Sequence, residues 1–572
     1  MHPTSSAAAY AAVPAAAPTT VATALVQLLT QLGVTHAFGV MGGAIAPFFH
    51  AVAHGDLTAL HMRHETGAAF AAVEASLATG RPTLVFTTAG PGLTNAITGM
   101  LAARWEGARV VFVSAATSAA QRGRIGTQET GPTTVDLATV AHLAVTIEHA
   151  AQLAPLAIQL ATAFARPGGF VAHVSLPIDQ QRAPCPPPPR LGDHRALVPR
   201  CDPATLAEHA ALLRARPPVV WLGFGARDAV APIRHLVERL GARVICSPRA
   251  KGVFPEDHPQ FLGVTGVGGH SRVDEVLAAD RPDYTLVLGT RLGESTSFWA
   301  SEFAPARAFI QVDVDAGALG VAYPQVPTHG VVADVGEYVL GLRAALGPAG
   351  DADAATPELP IRRGPRHAPR ASGPVRPQYL FEELQRVVVD GSDAWLMAES
   401  GNAFCWANHL LRFATPGRYR VSPGFGSMGH AATGVVGAAL ARRDKAVAVV
   451  GDGAMIMQNE LHAAVQHRAD ALWVILNDAC YLMCAQGMAV MGWEPFSCEL
   501  PRIDFVAMAR AVGADGERVA TELELGPALE RALVARGPWV LDVTIDPREQ
   551  PPSGRRNRSL MQQGHAAPKA GS

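Results

Sequence analysis

The sequence predicts an α/β protein of three doubly wound parallel-sheet domains, and three observations carry that expectation. At 572 residues the chain is too long for one hydrophobic core. Short apolar runs rich in β-branched residues alternate with stretches whose apolar residues recur at helical spacing, the pattern of strands joined by covering helices. Two Pro-rich breaks, which supply few backbone donors to helix or sheet, divide that alternation into thirds.

Along the chain, residues 1–19 lack the basic start and long apolar core of a signal peptide and read as a flexible tail. The first block, 20–182, carries the strand-like runs TLVFTTA and RVVFVSA and the helical AIQLATAFARP. Residues 183–195, opening APCPPPPR, form a Pro-rich linker. The middle block, 196–346, contains YTLVLGT, and a second linker at 347–377 is rich in Pro, Gly and Ala without apolar periodicity. The third block, 378–548, holds KAVAVVGDG, NELHAAVQHRA and ALWVILND, and 549–572 read as a C-terminal tail. In parallel sheets covered on both faces, sites lie at the C-terminal ends of strands, so the residues that close these apolar runs are the candidates.

Composition narrows the partners. With 47 Lys+Arg against 49 Asp+Glu the net charge is −2, which gives no field favouring nucleic acid. Seven cysteines without a CxxC pair point to a reducing compartment, with the cytoplasm as default, and no run is long and apolar enough to span a bilayer. Small molecules and other protein chains remain as partners.

The chemistry concentrates in the third block. Gly451-Asp452-Gly453 closes the run AVAVV, and Asn477-Asp478 closes LWVIL, with Asp478 placed 478 − 452 = 26 residues after Asp452. The glycines permit close backbone approach, and a helix expected from about Met457 turns its positive end toward the turn. Two hard oxygen ligands at adjacent strand ends form a natural site for Mg²⁺ bound to a phosphate group.

This pattern resembles the thiamin-diphosphate signature, and the chain is similar to the acetolactate synthase and 2-oxo-acid decarboxylase branch of those enzymes over about residues 20–550. The resemblance implies pyrimidine-binding, middle and diphosphate-binding domains in that order. It assigns Mg²⁺ to Asp452, Asp478 and the carbonyl of Cys480, with Asp478 standing where relatives usually have Asn. It makes Glu65, in RHE, the carboxyl that protonates the aminopyrimidine ring, and Gly90 and Asn95, in GPGLTN, part of the cofactor-binding turn. Asn402, Ala403, Gly451, Gly453 and Ala454 would meet the diphosphate, Met428 would bend the cofactor, and Gly426 would offer a carbonyl to its amine. Because Glu65 and Asp452 meet only between subunits in that family, a homodimer or homotetramer is implied.

For the reaction, the stretch SAATSAAQRGRIGTQETGPTTVD lacks the His-His pair of simple decarboxylases, and Gln128 takes the position of a Gln that reaches the reacting centre in carboligating relatives. The favoured expectation is carboligation by a transferase/lyase: decarboxylation of a 2-oxo acid, pyruvate first, then C–C bond formation with an aldehyde or oxo acid. Aldehyde release, a flavin-linked oxidase and a catalytically silent thiamin-fold protein are the alternatives. FAD is left open, because GTRLGESTSF lacks the DDR run of FAD-holding synthases. Gly43, Met483 and Gly487 are pocket candidates, and Gly487 stands where acetolactate synthases carry a Trp, so bulkier acceptors are expected unless Met488 or Trp493 refills the space. His270, in GVGGHSR, is expected on an exposed loop.

Overall fold

The structure, a computed structural model, describes residues 19–130, 136–192, 198–347, 366–457 and 459–565. It contains three six-stranded sheets, one per block, and every strand pairing within them is parallel. The runs picked out by β-branched residues become buried strands: Thr83–Thr87, Arg109–Ala116, Tyr284–Leu288, Ala446–Gly451 and Ala471–Asn477. Helices cover both faces, as parallel connections require.

The first and third sheets share one interior. The helix Glu65–Thr79 lies against His430–Arg442, both rich in Ala and Gly. A Cβ at Gly437 would collide with the carbonyl of Ala71, so glycine is needed for the two backbones to come this close. Small side chains shorten the reach of dispersion contacts while leaving few polar atoms to satisfy.

A buried ionic network ties this interior to the middle domain. Arg420 donates from Nε to Glu74 Oε2 at 3.0 Å and from Nη2 to Glu74 Oε1 at 2.8 Å and Glu106 Oε2 at 3.4 Å. His430 Nε2 meets Glu74 Oε1 at 2.9 Å, and Arg249 of the middle domain meets Glu106 Oε2 at 3.1 Å. Burial opposes ionisation of Glu74 and Glu106, but the facing guanidinium groups prevail and hold both carboxyls below the usual range.

Three expectations are corrected. The C-terminal tail folds through residue 565, with a helix at Gly554–Leu560, because Arg555 pairs with Asp274 and covers the Phe303 ring at 4.3 Å while Ser559 Oγ reaches Glu294. Within the first linker, Pro184–Cys185 pairs with Thr19–Thr20 as a short antiparallel ribbon, whereas 193–197 lie outside the described residues, as do 1–18 and the greater part of the second linker. The helix expected from about Met457 is split, with one turn at Asp452–Met455 and a second helix at Glu460–His467.

Arg420→Met should cost ~3–5 kcal/mol, since two buried carboxylates lose their shared cation, and it should be read as a lowered urea midpoint. Both carboxyls are depressed in the folded state, so their stabilising contribution is full above ~4.3 and is lost as pH falls below it. The gap between wild type and variant should narrow as acid unfolding proceeds.

Candidate active site

The third sheet runs in the order Tyr419–Val421, Trp395–Ala398, Ala446–Gly451, Ala471–Asn477, Trp539–Thr544, Asp515–Val519. The chain leaves Trp395–Ala398 toward one edge and returns on its other side at Ala446–Gly451. The carboxyl ends of these two strands therefore flank the switch point where doubly wound sheets bind ligands. Ala398 leads to Ser400-Gly401 and the helix Asn402–Leu410, Gly451 leads to Asp452, and the neighbouring strand delivers Asp478.

A cavity of about 220 Å³ opens there, with Asn402, Met428, Asp452, Asp478, Met483 and Arg556 in its wall. Asp478 Oδ1 accepts from the Cys480 amide at 3.1 Å, and the intervening Ala479 is held at φ 56°. A left-handed alanine costs backbone energy that the surrounding loop must offset. Burial, and then the charge of Asp452, push the Asp478 carboxyl up to about 7. Asp452 is raised as well, chiefly by burial.

Two carboxylates that repel each other, Asp452 buried and Asp478 half-buried, suit a divalent cation, which would favour the ionised form of both. Among the described residues no cluster of three or more His, Cys, Asp or Glu could hold a metal. A cation at Asp452 and Asp478 would thus complete its shell with backbone and ligand oxygens, and Cys480 lies in the same wall. The remaining wall also suits a phosphorylated ligand. A Cβ at Gly453 would stand 2.7 Å from Tyr481 Cδ1, so the ring closes over a bare backbone, and Ala454 follows it in the wall. Asn402 Nδ2 donates to Gln486 Oε1 at 3.2 Å, leaving Asn402 Oδ1 and Gln486 Nε2 buried without partners. Such atoms retain capacity for a ligand. Ala403 and Gly451 also line the cavity, while Gly426, at φ 72°, accepts Ser400 Oγ at 3.4 Å.

The first-domain candidates gather elsewhere. Glu65 begins its helix and is buried, receiving Asn95 Nδ2 at Oε2, 3.0 Å. Gly90 caps the helix Pro91–Glu106 at φ 60°, and a Cβ on it would lie 2.8 Å from Gln128 Cα. Gln128, itself at φ 64°, seals that turn with its backbone and leaves its side chain exposed. Neither this group nor the exposed Gly43 lines the cavity, whose described walls all come from residues 377–556.

His270 does not stand free on a loop: its Nε2 meets the His409 carbonyl at 2.8 Å, and burial lowers its pKa to about 3. Two further residues escaped the sequence reading. Glu460 accepts from the Arg63 and His64 amides at 3.1 and 3.0 Å, fixing the approach to Glu65 across the domain boundary, and burial pushes its carboxyl up to about 7. In NELHAAVQHRA it looked like an ordinary helix start. Arg556 sat in the segment taken for a tail.

Family profiles match all three sheets in chain order: thiamine pyrophosphate enzyme, N-terminal TPP binding domain at residues 19–137, central domain at 207–342 and C-terminal TPP binding domain at 399–543. An acetolactate synthase of Mycobacterium bovis is 30% identical over 557 residues, covering 92% of this chain and 88% of that protein. The chain belongs to the acetolactate synthase family of thiamine pyrophosphate enzymes. The acetolactate synthase isozyme 1 large subunit of Escherichia coli is 26% identical, covering 94% of this chain and 96% of its own. Among solved structures, the thiamine diphosphate-dependent 4-hydroxybenzoylformate decarboxylase of Rhodococcus jostii RHA1 shares the fold at TM-score 0.79 and 24% identity, covering 92% of this chain and 99% of that one. No helix among the described residues of this thiamine pyrophosphate enzyme is long and apolar enough to cross a membrane.

Gly453→Ala should force the Tyr481 ring aside, destabilise the protein by ~1–3 kcal/mol and weaken thiamin diphosphate binding. Adding Tyr481→Ala should recover most of the stability in a thermal melt, because the collision partner is gone.

Proposed function

We propose that this thiamine pyrophosphate enzyme is a Mg²⁺-dependent carboligase that decarboxylates a 2-oxo acid, pyruvate first, and joins the acyl unit to an aldehyde or oxo-acid acceptor. The C1–C2 bond of the 2-oxo acid breaks with loss of CO₂, C2 bonds to the acceptor carbonyl carbon, and the acceptor oxygen takes up a proton. The sum is redox neutral and calls for no flavin. The observation that carries the reading is the Gly90 turn, which packs against Gln128 on one side while the helix it opens sends Asn95 to Glu65.

In this reading Asp452 and Asp478, with the Cys480 carbonyl, hold Mg²⁺, and Asn402, Ala403, Gly451, Gly453 and Ala454 receive the diphosphate. Met428 and Gly426 set the cofactor's bend. Thiamin diphosphate supplies the carbon nucleophile and the sink for the electron pair released with CO₂. Glu65 holds a proton at the cofactor's pyrimidine end, kept in place by Asn95. Gln128, exposed on the same edge, orients the reacting carbonyl.

One chain carries Glu65 outside the cavity that holds Asp452, so a second copy completes the site in a homodimer or homotetramer. All seven cysteines are free, in keeping with a reducing cytoplasm.

Product analysis by gas chromatography, from pyruvate alone and with benzaldehyde or 2-oxobutyrate, should give ligated hydroxyketones or hydroxy-oxo acids. Acetaldehyde as sole product would replace the proposal with simple decarboxylation. Glu65→Gln should retain cofactor affinity and lose ~100-fold or more in turnover, as expected when a proton-transfer group is removed. Cofactor C2 proton exchange, followed by NMR, should slow in parallel. Asp452→Ala should lose the Mg²⁺-dependent part of cofactor affinity in calorimetry, because one of few protein ligands is gone.

A further inference from the structure

A second cavity, of about 510 Å³, lies where the three domains meet, at the amino ends of strands and not at their carboxyl ends. Arg109 opens the strand Arg109–Ala116, Trp395 opens Trp395–Ala398, and both stand in its wall. Ser76 and Arg442 enter from the last turns of the helices Glu65–Thr79 and His430–Arg442. The first of these helices spans 15 residues, about 22 Å at 1.5 Å per residue, so the cavity is remote from Glu65 at the helix start. The middle domain contributes Phe224, Arg227 and Asp228, from the turn after Val219–Leu222. That turn closes against the neighbouring strand end, with Gly225 N donating to the Gly289 carbonyl at 3.0 Å, and Gly289 is outside the wall.

The wall is rich in donors that lack acceptors. Arg420 commits Nε and Nη2 to Glu74 and Glu106, and its Nη1 is buried without a partner. Arg442 Nε and the Trp395 indole Nε1 are buried without partners as well. All three are N–H groups that can only donate, and a buried donor left unpaired is costly, so they call for an acceptor. The charges agree. Arg109 donates to the neutral carbonyls of Gly168 at 3.2 Å and Arg166 at 2.9 Å. Arg227 Nη1 donates to the Phe224 carbonyl at 3.1 Å, and its Nε stands 3.7 Å from Asp228, which is 86% exposed. Arg442 Nη2 is 3.8 Å from the half-exposed Asp444 carboxylate. Solvent screens such pairs, and the two helix C-termini, each about half a negative charge, offset the guanidinium groups only in part. Burial, and then the charge of Arg227, lower the pKa of Arg109, a sign of like charges held together. A phosphate group meets this demand, because its oxygens accept several N–H donors at once and match guanidinium in bidentate geometry.

We propose that this cavity binds the phosphate group of a small molecule, as the free anion or as an ester, and that the bound phosphate ties the three domains together. The site is independent of which reaction the enzyme performs.

The test uses the holoenzyme with thiamin diphosphate and Mg²⁺ bound, so that the catalytic cavity is filled. Inorganic phosphate and ribose 5-phosphate are titrated by calorimetry at an ionic strength held constant with chloride. Saturable binding, one per chain, is expected, and the tighter of the two probes identifies the source. Arg227→Gln and Arg442→Gln should each lose about 10- to 100-fold in affinity, since a charge-assisted partner is removed, and Arg227→Lys should recover part of the loss. Arg536→Gln, at a third-domain position 86% exposed, should have no effect. Phosphate should raise the melting temperature of wild type but not of the Arg227→Gln, Arg442→Gln double variant, because a ligand stabilises only the state that binds it. No saturable binding of either probe to wild type, or undiminished affinity in both cavity variants, overturns the proposal. So does an equal loss in Arg536→Gln, which means diffuse surface charge, or an equal rise in melting temperature in the double variant, which means general salt exclusion. If Arg442→Gln lowers the urea midpoint too far for titration, Arg227, whose side chain is 38% exposed, carries the comparison alone.

Discussion

Arg420, Glu74, Glu106 and Arg249 bring charges from all three domains into one buried cluster, which the His430 ring joins by a hydrogen bond to Glu74, and the elements of the site are tied to it. Each carboxylate is compensated only while the domains hold their relative positions, because a buried charge without its partner is strongly destabilising. Glu74 belongs to the helix that begins at Glu65, and Glu106 ends the helix that begins at Pro91, beside Gly90. His430 opens the helix that follows Met428. Three site elements are thereby tied to one cluster, two of them through carboxylates toward the far ends of their helices and the third through His430 at the start of its own. Glycine packing at the Ala71–Gly437 approach makes the arrangement close enough for these short hydrogen bonds.

The cavity separates its charges. Acidic groups gather at the strand ends, where Asp452 and Asp478 face one another, while the Arg556 guanidinium enters from the C-terminal helix beside Gly487. The Glu549 carboxylate in the same wall is held by Arg370 and Gln378, so it does not cancel Arg556.

Much of the fold was legible because strand and helix periodicities are local. β-branched runs became buried parallel strands, and the polar residues closing them, Asp452 and Asp478, came to adjacent strand ends as expected. The places of Glu65, at a helix start, and of Asn95, in the helix that the glycine turn opens, were legible too, since each belongs to a short local motif. Glu460 was not: its function is to receive two amides nearly 400 residues earlier in the chain, and no local pattern reports such a partner. His270 likewise looked free because its acceptor, the His409 carbonyl, lies in another domain.

The sequence by itself determined the three-block α/β architecture, the Asp452–Asp478 spacing and the Glu65 motif, because hydrophobic period and turn chemistry act over a few residues. Tertiary structure alone decided that the C-terminal segment is a wall of the cavity and not a tail. A short polar helix such as Gly554–Leu560 has little intrinsic stability, and only its contacts with Asp274, Phe303 and Glu294 hold it in place. The space beside Gly487 was decided in the same way: the sequence shows a missing side chain there, but the atoms that fill the gap come from Arg556, 556 − 487 = 69 residues later.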